Sequence, residues 1–146
     1  MLPHENGANF YDFVFNNRFG AALNQLTQKN LRDIEKLSPS SKRVLDFGAG
    51  TGRLSIPLAE MGYEVYAVDQ CAEMLEILKE KAAAKGLVIH TSTTLDAFKH
   101  LSFDCIFSLF TVLHYITSQE ILHGYFRDFK DMIKPGGHYL FDLENV

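Results

Sequence analysis

Apolar side chains recur at three- and four-residue steps through the first part of the chain. Phe10, Phe13, Val14, Phe19, Leu23, Leu26, Leu31, Ile34 and Leu37 thereby fall mostly on one side of a helix. The spacing predicts a helical segment over residues 10–37, with Gly20 a weak point in its continuity. Ser38-Pro39-Ser40-Ser41 ends it, because proline disfavours helix in the residue before it. From Arg43 onward the rhythm changes to short β-like runs alternating with helical stretches.

Val44-Leu45-Asp46-Phe47 reads as a strand, and Leu54 to Met61 as a helix whose Pro57 is tolerated only near its first turn. Glu64 to Asp69 is a second strand. Residues 72–85 form a helix with Met74, Leu75 and Leu78 facing inward, and Gly86 stands where a C-terminal cap belongs. Leu87 to Thr91 is a third strand. Phe103 to Leu109, almost continuously apolar, is a fourth, buried on both faces. Thr117-Ser118-Gln119-Glu120 has the spacing of a capping box, and Leu122, Phe126, Phe129 and Ile133 give the helix behind it a core stripe. Lys134-Pro135-Gly136-Gly137 turns the chain into a last strand, His138 to Leu143.

This succession predicts an α/β fold: a Rossmann-like three-layer α/β/α sandwich around a mostly parallel five-stranded sheet. Residues 1–146 form a single domain in this reading, with 1–41 an N-terminal helical segment. Ligands of such sheets sit at the carboxyl ends of the strands. The chemistry is therefore sought just after Phe47, Asp69, Thr91, Leu109 and Leu143.

After the first strand comes Asp46-Phe47-Gly48-Ala49-Gly50-Thr51-Gly52-Arg53. A strand-to-helix turn alone accounts for one glycine; three in five positions let the backbone approach a ligand where a Cβ would clash. A dinucleotide fingerprint would need its third glycine at position 53, which is Arg. Asp46 would also repel a pyrophosphate, whereas it would suit a ligand carrying an ammonium and a sulfonium. Both features weigh against a nicotinamide-dependent oxidoreductase. Asp69, seventeen residues beyond Gly52, can accept hydrogen bonds from both hydroxyls of a ribose. The same position also suits an N-cap for the helix that follows.

Val44 to Arg53 resembles motif I of the class I S-adenosylmethionine-dependent methyltransferases, and Val65-Tyr66-Ala67-Val68-Asp69 is similar to their acidic second motif. Ser102 to Phe110 looks like their fourth-strand motif, and Ile133-Lys134-Pro135-Gly136-Gly137 like the turn before the fifth strand. The resemblance spans residues 43 to 143 and implies S-adenosyl-L-methionine as cofactor. By it, the backbone of Gly48, Ala49, Gly50 and Gly52 would hold the methionine part, with Asp46 near its ammonium. Asp69 would bind the ribose, and Gln70 and Met74 would flank the adenine. Leu109 and Phe110 would approach the methionine end and the transferable methyl.

One position departs from the family pattern. Where relatives place an acid after the third strand to receive the adenine amino group, this chain has Thr91-Ser92-Thr93-Thr94-Leu95-Asp96. Thr94 aligns with that acid and Leu95 with the following amide; Asp96 is the alternative. Tyr11 lies in an aromatic segment similar to one that folds over the cofactor in relatives methylating small amines, or else belongs to the aromatic face of the first helix. No catalytic residue is assigned. His114 is within reach of a proton-transfer role by its place after the fourth strand, but a packed structural histidine is the better account.

Charge narrows the partner. Fourteen Lys and Arg against eighteen Asp and Glu give a net charge of −4, the opposite of a chain built to neutralise phosphates. The expectation is a small-molecule acceptor, with amines one class, and neither nucleic acid nor membrane. The run Ser108 to Tyr115 looks like the small-molecule branch of the family, and no Asn-Pro-Pro-Tyr type motif is present. No apolar run approaches the ~20 residues needed to cross a bilayer, and the start lacks a signal peptide, so the expected location is cytoplasmic. Cys71 and Cys105 have no C-x-x-C spacing and are expected as reduced, packed thiols, with no metal.

The family fold carries seven strands, of which five are found here. The second reading is accordingly a domain that binds S-adenosylmethionine without independent catalysis, as a truncated chain or a partner subunit. The fifth strand would be an unpaired edge, a template for a homodimer through residues 138–143 or for a missing C-terminal portion that covers it.

Overall fold

The most apolar runs occupy the middle of the sheet, where both faces are covered. The computed structural model describes residues 8–39, 42–110 and 112–143, the side chains of 8–19, 114 and 115 excepted. The elements are α1 (Ala8–Leu37), β1 (Arg43–Phe47), α2 (Ser55–Glu60), β2 (Glu64–Val68), α3 (Ala72–Ala84), β3 (Ile89–Ser92), β4 (Phe103–Ser108), α4 (Gln119–Met132) and β5 (Ile133–Phe141). Short 3-10 turns cover Leu95–Phe98 and Val112–Tyr115. Among the described residues the sheet has five strands in the order β3-β2-β1-β4-β5, and every pairing is parallel.

Alternation along β1 sorts the two cores. Val44 packs with Leu31 and Ile34 of α1, Leu54 and Leu58 around α2, and Phe107 of β4. Leu45 and Phe47 face the other way, onto Phe129 and Met132 of α4 and onto Leu95 and Phe98. The result is three layers: α1, α2 and α3 on one face, α4 on the other. Fully buried Phe103, Phe107 and Phe129 each contribute about 1.5–3 kcal/mol by leaving water. Both cysteines are buried, and burial pushes the Cys105 thiol up to about 12. Among the described residues no helix is long and apolar enough to cross a membrane.

The first helix runs unbroken through Gly20. A mid-helix glycine costs only about 1 kcal/mol, which the packed end of α1 outweighs. Other boundaries shift from the sequence expectation for identifiable reasons. The third strand starts at Ile89 rather than Leu87, because the Leu87 amide closes the end of α3 by donating to Ala82 O at 2.9 Å. The cap of α4 is Ser118, one residue later than the expected Thr117: its Oγ accepts from the Ile121 amide at 3.3 Å, so Glu120 completes no capping box. The Lys134 to Gly137 turn lies inside β5, not before it. Ile133 already pairs with Phe103, and the segment bulges out before His138 resumes opposite Cys105. A bulge has room for Pro135, which lacks an amide proton to give to the ladder.

Candidate functional site

Between β1 and α2 the chain turns through three glycines. The amides of Gly48 and Ala49 both donate to Val68 O, at 2.7 and 3.0 Å, fastening the loop to the end of β2. Gly48 has φ +86°, and a Cβ there would overlap the Val112 methyls of the turn after β4. Gly50 has φ +57°, and a Cβ there would meet nothing within 4 Å. One glycine thus lets the 112 turn press against the loop, while the other opens onto free space at the ligand-facing end of the sheet.

Asp69, just beyond β2, is tied to this loop. Its Oδ2 accepts from the Gly50 amide and its Oδ1 from the Cys71 amide, each at 2.8 Å. One carboxylate oxygen thus holds the start of α3, whose N-cap is Cys71 rather than Asp69, and the other is tied to the glycine loop. Each oxygen keeps further acceptor capacity, since an ionised carboxylate has about four lone-pair sites.

Asp46 lies beneath the loop on β1 and is only 4% exposed. Its Oδ2 accepts from Ser55 Oγ at 2.7 Å. Burial pushes its carboxyl up to about 7; the Ser55 hydroxyl and amide and the Arg53 charge oppose that rise, and Asp69 adds to it.

The structure adds a node that sequence reasoning missed. Arg53 donates to Thr27 Oγ1 at 2.9 Å and to Asn30 Oδ1 at 3.1 Å, both on α1, and its guanidinium carbon lies 5.3 Å from the Phe110 ring centre. Phe110 has φ +70°, rare for a residue with a side chain, and its amide donates to Asp142 Oδ2 at 2.6 Å. The helix α1, the glycine loop and the ends of β4 and β5 meet here. The available signal was Arg53 itself, which the sequence reading used only to exclude a dinucleotide fingerprint.

Of the other expected site residues, Ala49, Met74, Leu95 and Leu109 are buried among apolar neighbours and form inner walls. Gly52 backs onto Ile56 and Leu78. Gln70 and Thr94 are exposed at the rim; the Thr94 amide donates to Ser92 Oγ at 3.1 Å. The alternative, Asp96, is exposed and pairs with Lys99 at 2.6 Å. Tyr11 lies on α1 and His114 in the Val112–Tyr115 turn, with both side chains outside the described residues. Among the described residues no group of three His, Cys, Asp or Glu could hold a metal ion.

A parallel sheet whose first crossover is a glycine loop, with a carboxylate from the next strand bonded to that loop, defines a nucleoside-cofactor-binding α/β protein. Residues 44–137 match the family model of a methyltransferase domain. A protein of Geobacillus sp. (strain WCH70) named as a methyltransferase is 31% identical over 99% of this chain and 59% of its own length. The tRNA 5-carboxymethoxyuridine methyltransferase of Escherichia coli (strain K12) is 30% identical over 83% of this chain and 49% of its own. A solved S-adenosylmethionine-dependent methyltransferase from Clostridium acetobutylicum ATCC 824 matches in fold with a TM-score of 0.77, at 22% identity, over 93% of this chain and 57% of that one. The chain belongs to the methyltransferase domain family and has the class I S-adenosylmethionine-dependent fold.

The cofactor of this fold is S-adenosylmethionine, and the residues present fit it. The space in front of Gly50 admits a ligand close to backbone, and the Asp69 carboxylate beside it keeps acceptor capacity for hydroxyls such as those of a ribose. The chain spans 59% of the length of the Geobacillus relative and 49% of the E. coli one.

Proposed function

We propose that this chain carries out S-adenosylmethionine-dependent methyl transfer to a small-molecule acceptor, amines being the first class to test. The observation that carries this reading is the Gly50–Asp69 hydrogen bond, which draws the glycine loop and the ribose acid around one open space. When bound, the cofactor supplies an electrophilic methyl on sulfur. The chain's part is to bind and align: Gly48, Ala49, Gly50 and Gly52 present backbone to the methionine part, and Asp46 lies near its ammonium. Asp69 takes the ribose hydroxyls. Gln70, Met74, Thr94 and Leu95 surround the adenine, and Tyr11, Leu109 and Phe110 close on the methionine end. Alignment of the acceptor with the departing sulfur can supply most of the acceleration, so no general base is assigned.

A net charge of −4 supports a small acceptor over a polyanion. Calorimetry with S-adenosylmethionine and S-adenosylhomocysteine tests the cofactor site; failure of both to bind overturns the reading. Transfer of radiolabelled methyl across amines, carboxylates and bulk tRNA then tests the acceptor. Label entering tRNA alone replaces the small-molecule reading, an outcome raised by the E. coli relative's name.

The second reading is a cofactor-binding domain without catalysis of its own. Binding without turnover across the panel favours it. We also propose that β5 pairs with a second copy. Among the described residues it is the sheet's edge, Phe141 is 43% and Leu143 64% exposed, and both line an apolar groove of about 330 Å³ with Leu113, Leu122 and Phe126. A stable monomer in sedimentation at micromolar concentration overturns the dimer.

A further inference from the structure

Asp46 and Ser55 form a closed pair beneath the glycine loop. Asp46 sits on the central strand, opposite Ala67 of β2 and Phe107 of β4, and Ser55 is the first residue of α2. The start of that helix is fixed to the loop, since the Ile56 amide donates to Gly52 O at 3.0 Å. Ser55 is fully buried and Asp46 nearly so. The charged groups facing Asp46 are Arg53, above it in the loop, and Asp69, at the end of the neighbouring strand. Arg53 is itself held by Thr27 and Asn30 of α1, so its distance to the carboxylate is set by packing.

We propose that Ser55 is a positioning residue of the cofactor site: its buried hydroxyl, 2.7 Å from Asp46 Oδ2, holds that carboxylate ionised beneath the loop and so sets the pH range in which the cofactor's ammonium is bound. The proposal rests on the reading that this site takes S-adenosylmethionine with its ammonium near Asp46. Solvent has little access to the pair, so water does not readily replace the hydroxyl. A hydrogen bond to a charged acceptor favours the charged form, and burial opposes it. With the hydroxyl present the two influences leave the carboxyl titrating near 7, inside the range of ordinary solutions. Removing the hydroxyl leaves burial and Asp69 opposed only by the Ser55 amide and Arg53, and the carboxylate is then formed only at higher pH.

The test is calorimetric affinity for S-adenosylhomocysteine, measured between about pH 5.5 and 8.5 on the full chain and on S55A, S55T and D46N. Comparison at each pH cancels the ligand's own titration. The wild-type protein is expected to gain affinity through a midpoint near 7. S55A is expected to move that midpoint up by about one unit. S55T, which keeps the hydroxyl, retains the wild-type midpoint even where its added methyl lowers affinity overall, and D46N loses the step. An S55A protein weakened evenly at every pH overturns the proposal in favour of a merely structural serine. A step that survives in D46N assigns the titration to another group and overturns it too. Absence of any binding by the wild-type protein overturns the underlying cofactor reading, and the proposal with it; binding with an unmoved midpoint overturns the Ser55 proposal alone.

Discussion

Asp69 accepts a 2.8 Å hydrogen bond from the Gly50 amide, nineteen residues back along the chain, and so joins the end of β2 to the glycine loop. The same carboxylate holds the Cys71 amide at the start of α3. D69A removes both ties and the acceptors proposed for the ribose. Cofactor affinity is expected to fall by about 1.5–3 kcal/mol for each charge-assisted hydroxyl bond lost. Calorimetry with S-adenosylhomocysteine measures this, and an unchanged affinity refutes the ribose role.

Gly48 and Gly50 separate folding from binding. An alanine Cβ at Gly48 runs into the Val112 methyls, so G48A is expected to lose about 1–3 kcal/mol of stability, and V112A to restore part of it. At Gly50 the same Cβ meets nothing, leaving only a left-handed conformation that costs about 1 kcal/mol. G50A is therefore expected to fold nearly as well as wild type and to bind the cofactor more weakly, because the Cβ enters the open space. Urea denaturation beside calorimetry distinguishes the two. Equal stability losses with equal affinity would place the ligand elsewhere.

The strands and the glycine loop were legible because each has a local signature: β-rich apolar runs, a period of two or near-continuous burial, and glycines where a side chain cannot stand. Ser118 in place of Thr117 as the cap of α4, and the bulge at Lys134 to Gly137, were not. Adjacent Thr and Ser offer the same hydroxyl, and only packing of the helix selects between them. Pro-Gly-Gly reads equally as a turn or a bulge until Ile133 finds its partner Phe103. In the site, the paired acids were legible from spacing, but Ser55 and the Thr27, Asn30, Arg53 and Phe110 node were not. Their contacts join residues 9 to 57 positions apart, distances over which a sequence carries no periodic signal.

That node makes Arg53 hard to replace. Its fork reaches Thr27 and Asn30 together while its guanidinium carbon lies over the Phe110 ring, a combination an ammonium cannot reproduce. R53A is expected to lose about 1–3 kcal/mol of unfolding free energy by leaving the buried Asn30 amide without this partner, and R53K to recover less than half. Denaturant midpoints measure both. Full recovery in R53K would reduce the residue to its charge.

Asp46 makes the stability of this protein depend on pH in an unusual direction. Its carboxyl titrates near 7 in the folded chain, against 3.8 for an ordinary aspartate, chiefly because burial disfavours the anion. Between about pH 4 and 7 the folded state keeps a proton that the unfolded state has released, so this group's contribution falls as pH rises and levels off above 7. D46N carries no titrating proton and its amide oxygen still accepts from Ser55. The variant is therefore expected to gain on the wild type as pH rises through this window, by about 2–4 kcal/mol at pH 8, with little of that gain present at pH 4. Cofactor binding should weaken in the same variant if, as proposed, Asp46 is the charge that meets the ammonium. Urea unfolding of both proteins at several pH values checks this: a stability difference that stays constant with pH would mean that Asp46 is ionised throughout.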